Sequence, residues 1–176
     1  MDIAAHVLYG VTVCSRAGLA GGRVGTRGIR VWREPTVWWA AFFGLLPDMA
    51  SMWIPFIVHA ISGAPGNFFH YFDGHWLVVY RLFHSLVMSL GVAAIVWVWR
   101  RPFFAATLAW PLHVVMDSVS HSTGKFQTLL FYPFSEWGIN GIAWWRHPDF
   151  VLGYWLALAA TWLTLFAWRR VTLKQP

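Results

Sequence analysis

The chain has 176 residues, of which 58% are hydrophobic and only 11% charged, with 14 Trp and 14 Phe. Soluble domains carry about 25% charged residues, so the composition excludes an ordinary soluble fold and points to one integral membrane domain. The net charge of +6 is read as loop charge beside hydrophobic spans, because no basic face interleaves with aromatics as nucleic-acid binding would need. The single cysteine, Cys14, rules out an intrachain disulfide. The opening Met1-Asp2 has no basic segment, and His6 lies inside the apolar run that follows, so no cleavable signal peptide is expected.

Residues 3–20 are apolar and small, slightly short of the ~20 residues that cross a bilayer, and are read as a tilted or partly spanning helix packed into the bundle. Residues 21–34 form a Gly/Arg loop. A second span covers 36–62 and is expected to be interrupted at Leu46-Pro47-Asp48. Proline removes a backbone donor there, and the kink would turn Asp48 towards a cavity; a capping role for Asp48 is the simpler alternative. Residues 63–76, with His70 and His75, mix turn residues and aromatics as an interfacial loop does. A clear span follows over 77–99, with Tyr80, Arg81 and His84 on one side. Residues 103–121 form the fourth span, 122–149 a polar and aromatic loop containing His147, and 150–168 a last helix read as structural. The expected fold is an all-α, polytopic membrane bundle of four to five helices around an intramembrane polar site.

The fourth span carries that site's clearest signal. His113, Asp117 and His121 recur every four residues, which in a helix places them on one stripe drifting ~40° per step. Each would be costly in lipid, so the stripe is expected to face an interior site.

Charge sets the orientation. Arg16, Arg23, Arg27, Arg30, Arg33, Arg100, Arg101, Arg169, Arg170 and Lys174 fall on one side if the spans alternate, against Lys125 and Arg146 on the other. The positive-inside rule then makes the first side, with the C-terminus, cytoplasmic. His6, Arg81, His84, Asp117 and His121 come to lie in the outer half of the membrane, with Asp48 near the middle.

Imidazole nitrogens and carboxylate oxygens are zinc donors. His6, Asp48, His84, His113 and Asp117 supply enough of them for one divalent ion and could serve two, with carboxylates bridging. Arg81 is the natural partner for phosphate oxygens. His121 is either a further ligand or the acid that protonates a leaving oxygen. Taken singly, His6 or His59 in an apolar helix is more often a packing residue, and Arg81 could simply reach for the interface.

Four motifs in order carry a resemblance. Met1-Asp2-Ile-Ala-Ala-His6 with Gly10, Gly44-Leu-Leu-Pro47-Asp48, Tyr80-Arg81-Leu-Phe-His84-Ser85-Leu86, and His113-x-x-x-Asp117-x-x-x-His121 followed by Gly124 and Tyr132-Pro133 span most of the chain. Together they resemble the LexA-regulated, YdjM-like family of small bacterial inner-membrane metal-dependent hydrolases. Two positions depart from its pattern: Tyr80 stands where the family has His, and Phe83 where it has Thr. The order of His and Asp residues is distantly similar to the zinc-dependent phospholipase C and single-strand nuclease group. The resemblance implies metal-dependent phosphoester hydrolysis.

The expected function is therefore a membrane-embedded metal-dependent hydrolase. It would act on a lipid or lipid-linked phosphate that arrives laterally from the outer side of the inner membrane. The expected partners are membrane lipids and a lipid-like substrate, with no nucleic acid. Two rivals use the same residues: a small transporter or metal/proton relay, and a structural bundle whose buried polar groups hold helices together.

Overall fold

The computed structural model describes residues 1–21, 31–63 and 67–172. Arg23, Arg27, Arg30 and Lys174, together with the side chains of His70 and Arg170, lie outside the described residues. Among the described residues the regular structure is helical, and the one strand-like pairing is an isolated bridge between Leu129 and Gly138.

Helix α1 (Ile3–Cys14) starts where Asp2 caps it, accepting a hydrogen bond from the Ala5 amide at 2.9 Å. Helix α2 (Pro35–Asp48) has proline in its first turn, where a missing N–H costs nothing. The interruption expected at Leu46-Pro47-Asp48 takes the form of a change of helix type and not of a break: α2 ends at Asp48 while the span runs on to Ser62. The chain passes through a π-helical turn (Met49–Trp53) into α3 (Ile54–Ser62). The wider turn carries the backbone past a residue with no N–H to give, and Ser51 Oγ donates to the Pro47 carbonyl at 2.6 Å. Asp48 makes no capping bond at this turn, so its carboxylate is available for other contacts.

A short α4 (Phe68–Tyr71) leads to α5 (His75–Phe83) and α6 (Leu86–Trp99). The straight span expected over 77–99 is instead a pair of helices bent by 55°. Ser85 makes the bend. Its Oγ accepts from the Val87 amide at 3.1 Å to cap α6, and donates to the Tyr132 carbonyl at 2.7 Å. Beside it the Leu86 amide donates to the Leu130 carbonyl at 2.9 Å. A loop thus supplies the backbone partners that a continuous helix would have kept internal.

A 3-10 turn (Arg101–Phe103), α7 (Phe104–Thr107) and α8 (Ala109–Ser120) make up the fourth span. It ends one residue earlier than expected: His121 is in extended conformation just past α8. The last helix is α9 (Pro148–Thr172). Among the described residues, four stretches are long and apolar enough to cross a membrane: Ile3–Gly21, Pro35–Ser62, Arg101–Ser120 and Pro148–Arg169. The bent α5–α6 pair would be a fifth.

Helices α1, α2 and α8 cross at small residues. A Cβ at Gly10 would stand 3.0 Å from the Ala109 Cβ and 3.2 Å from the Ala40 carbonyl oxygen, and one at Gly44 would stand 3.0 Å from the His6 carbonyl oxygen. Small residues let membrane helices approach to backbone contact, and this crossing brings His6, Gly44 and His113 together. Two indole N–H groups tie the neighbours in. Trp110 donates to the Phe83 carbonyl at 2.7 Å, and Trp39 to Thr107 Oγ1 at 2.9 Å. Helix α9 is held near its N-terminus through Asp2, which accepts from Tyr154 Oη at 2.5 Å and Trp155 Nε1 at 3.2 Å.

Candidate metal centre

Four side chains from three parts of the fold converge on one point. Asp48 comes from the end of α2, His84 from the bend after α5, and His113 and Asp117 from α8. One donor atom from each lies within 4.8 Å of all the others. His113 and Asp117 share a face because they are four residues apart. His84 reaches them because the helix carrying it ends just before it.

The orientation of both histidines is fixed from behind. His113 Nδ1 donates to the Gly44 carbonyl at 2.8 Å, and His84 Nδ1 donates to the Tyr80 carbonyl at 3.0 Å. A carbonyl accepts only, so each imidazole carries a proton on Nδ1, and in its neutral form each presents a lone pair at Nε2. Each ring is also covered on one face. His6 stacks on His113 with centroids 3.7 Å apart, and Tyr80 stacks on His84 at 4.1 Å. Metal-binding histidines are supported in this manner, with the second nitrogen bonded to a carbonyl or carboxylate.

The donors face one another. The two Nε2 atoms are 3.4 Å apart. Asp117 Oδ2 lies 3.2 Å from His113 Nε2 and 3.4 Å from His84 Nε2, and Asp48 Oδ1 lies 3.8 Å and 3.5 Å from the same atoms. Ligands bound tetrahedrally at ~2.0–2.1 Å from a zinc ion stand ~3.3 Å from one another. The observed separations fit that spacing. Charge fits as well: two neutral imidazoles and two carboxylates balance one divalent cation.

The remaining expected ligand, His6, is next to this set and not in it. Its Nε2 bonds Asp117 Oδ1 at 2.8 Å, the oxygen turned away from the two histidines. The same oxygen accepts from the Met1 amino group at 2.7 Å, while His121 Nδ1 stands 3.4 Å away. Asp117 is thus held on one oxygen and offered on the other. His6 Nδ1 is buried with no hydrogen-bond partner. His121 keeps its place near Asp117 although it has left the helical stripe. Burial holds its imidazole below the ordinary value of 6.5, with the Asp117 carboxylate opposing in part.

Arg81 is not brought to the site. Its Nη1 is 3.6 Å from Glu136, a mostly exposed carboxylate, and its guanidinium sits 5.9 Å from the centroid of the Tyr132 ring. It faces the loop that clasps the bend, one residue round the helix from Tyr80. Tyr80, at the position where the resembled family has His, turns its hydroxyl to the Phe126 carbonyl at 3.0 Å.

A cavity of about 910 Å³ adjoins the cluster. Asp48, Tyr80 and His121 form its polar end, and aromatic side chains including Phe56, Phe69, Phe126 and Trp145 form its walls. Asp48 alone belongs to both the donor set and the cavity lining. Its side chain is 14% exposed, whereas those of His84, His113 and Asp117 are 1% exposed or less. Sequence reasoning missed the Gly44 and Tyr80 carbonyls, the covering role of the Tyr80 ring and the Asp2 anchor. Ser85 directly after His84 was a readable capping signal for the bend, and Gly10 and Gly44 marked the close crossing.

Comparison of the chain with protein-family models, with curated proteins and with solved structures finds no match.

Proposed function

We propose that this protein is a membrane-embedded metal-dependent hydrolase that cleaves a phosphoester of a lipid or lipid-linked phosphate. The observation that carries the reading is the double membership of Asp48. A two-His, two-Asp donor set with three members sealed has its one accessible member on the wall of an aromatic cavity. Pockets that bury apolar ligands have such walls, with a few polar groups at one end to fix orientation.

His84, His113, Asp48 and Asp117 would hold one divalent ion, zinc by the donor chemistry. Such an ion supplies Lewis acidity and an acidified water near neutral pH. His6 holds Asp117 in place. His121, at the cavity's polar end, is placed to pass a proton to a leaving oxygen. The aromatic walls take an apolar chain and exclude water from the reacting end. The order of the four sequence motifs, which resembles the inner-membrane hydrolase family, supports the same chemistry. The cationic side of the spans supports a bacterial inner-membrane location with a cytoplasmic C-terminus and a site in the outer half.

The test is release of phosphate, or of a phosphorylated head group, from a panel of lipid phosphates. The assay uses detergent-purified protein loaded with zinc and the same protein after chelation. Turnover that disappears on chelation and returns with zinc is the expected result. Stoichiometric metal with no hydrolysis across the panel would sink the enzyme reading and favour a metal carrier.

A further inference from the structure

The polar end of the cavity and the donor set are joined by one side chain that nothing in the chemistry above uses. Tyr80 is 3% exposed and, beside edge contacts of its ring with Phe72 and Phe126, makes three contacts that point in different directions. Its backbone carbonyl fixes the His84 tautomer. Its ring lies against the His84 imidazole with an interplanar angle of 22°. Its hydroxyl holds the Phe126 carbonyl. Phe126 in turn packs against Phe69 and Phe72, with centroids 5.9 Å and 5.2 Å apart, and lines the cavity with Phe68 and Phe69.

We infer that Tyr80 is a positioning residue with two separable parts: its ring sets the angle at which His84 meets the ion, and its hydroxyl sets the cavity wall through Phe126. The inference rests on the proposed metal reading for its first part only. The geometry separates the two. Ring stacking on His84 needs no hydroxyl, whereas the loop is held by the hydroxyl bond together with an edge contact of the ring on Phe126, centroids 5.3 Å apart. His113 has the same support on its own side, a carbonyl behind and the His6 ring on one face. Tyr80 therefore completes a symmetrical pair of supports for the two imidazole ligands. Outer groups that orient a ligand change metal affinity about 10–100-fold when removed.

The experiment uses the full chain in lipid nanodiscs, with cobalt(II) as the probe because its visible spectrum reports ligand geometry. Hydrogen exchange of residues 122–132 provides the second readout. Wild type is compared with Tyr80→Phe and Tyr80→Leu. Tyr80→Phe is expected to keep the cobalt spectrum and affinity while exchange in the loop accelerates at least about tenfold. Tyr80→Leu is expected to accelerate the loop at least as much, to shift the cobalt bands and to weaken cobalt binding about tenfold or more. A Tyr80→Leu protein with the wild-type spectrum and affinity would overturn the ring's role. Unchanged loop exchange in Tyr80→Phe would overturn the hydroxyl's role. Acceleration spread evenly over all helices in either variant would mean a general packing role and would also overturn the inference. Wild-type protein that takes up no cobalt would overturn the metal reading and the His84 part with it, while loop exchange still decides the other part.

Discussion

His84 and His113 face each other through Nε2 atoms 3.4 Å apart, although each has its proton committed to a backbone carbonyl on the far side of the ring. Two lone pairs at that distance repel unless a cation lies among them. Asp48 and Asp117 add two carboxylates to the same point. The backbone, through the Gly44 and Tyr80 carbonyls, therefore turns both Nε2 atoms towards one point, where with the two carboxylates they could hold a cation.

It follows that removing one imidazole should abolish stoichiometric metal. Purified wild-type protein is expected to hold about one equivalent of transition metal per chain after zinc-replete expression, read by elemental mass spectrometry. His113→Ala is expected to hold well below that while remaining folded by circular dichroism. Because structural metal binding contributes folding free energy, chelation should also lower the thermal midpoint of the wild type and not of the variant. Equal metal in both proteins would show that the four donors are not the site.

The crossing that brings these donors together should be sensitive to single methyl groups. A Cβ at Gly44 would stand 3.0 Å from the His6 carbonyl oxygen, which is backbone and cannot move aside as a side chain can. Gly44→Val is expected to destabilise the bundle by about 1–3 kcal/mol, typical of overpacking a fixed contact. Gly91→Val, where a Cβ would meet nothing within 4 Å, should be close to neutral. Thermal midpoints in one detergent give the comparison, and similar values for the two would refute the close-crossing account.

Much of the architecture was legible because membrane spans announce themselves by length and apolarity, and the spacing of four put His113 and Asp117 on one face of α8. The parts that were not legible depend on where helices stop. His84 points into the site because Ser85 takes loop carbonyls as partners, and His121 leaves the stripe because α8 ends at Ser120. Periodicity describes a helix in progress and says nothing about its end. Pro47 shows the converse: a strong breaking signal was absorbed by a π-helical turn that Ser51 helps to satisfy. The support of the ligands by carbonyls and stacked rings joins residues far apart in sequence, Gly44 or His6 with His113, and leaves no local trace.

Arg81 provides a prediction in which sequence and structure diverge. The sequence offers it as a phosphate-binding cation, whereas the structure gives it a partly exposed partner, Glu136, and the Tyr132 ring. Exposed ion pairs contribute about 0.2–1 kcal/mol, so Arg81→Ala is expected to lower stability by no more than about 1 kcal/mol. Metal content should be unchanged. If lipid-phosphate hydrolysis is found, the variant should keep turnover within a few-fold of wild type. A loss of two orders of magnitude with metal intact would return Arg81 to the substrate.

His6 should behave as a support and not as a ligand. It bonds the Asp117 oxygen that faces away from the other donors, and its ring covers His113. Losing an outer partner of this type typically weakens metal binding about 10–100-fold without abolishing it. His6→Ala is thus expected to retain metal at saturating zinc and to lose it at lower chelator concentrations than wild type. His113→Ala should fail to bind even at saturation. A competition series with a chromophoric chelator separates the two behaviours. His6→Gln, which keeps a hydrogen-bond donor for Asp117 but no aromatic ring, should fall between His6→Ala and wild type. If His6→Ala instead matches His113→Ala at saturating zinc, then the His6 nitrogen is itself a ligand, and the ion is held by five side chains rather than four.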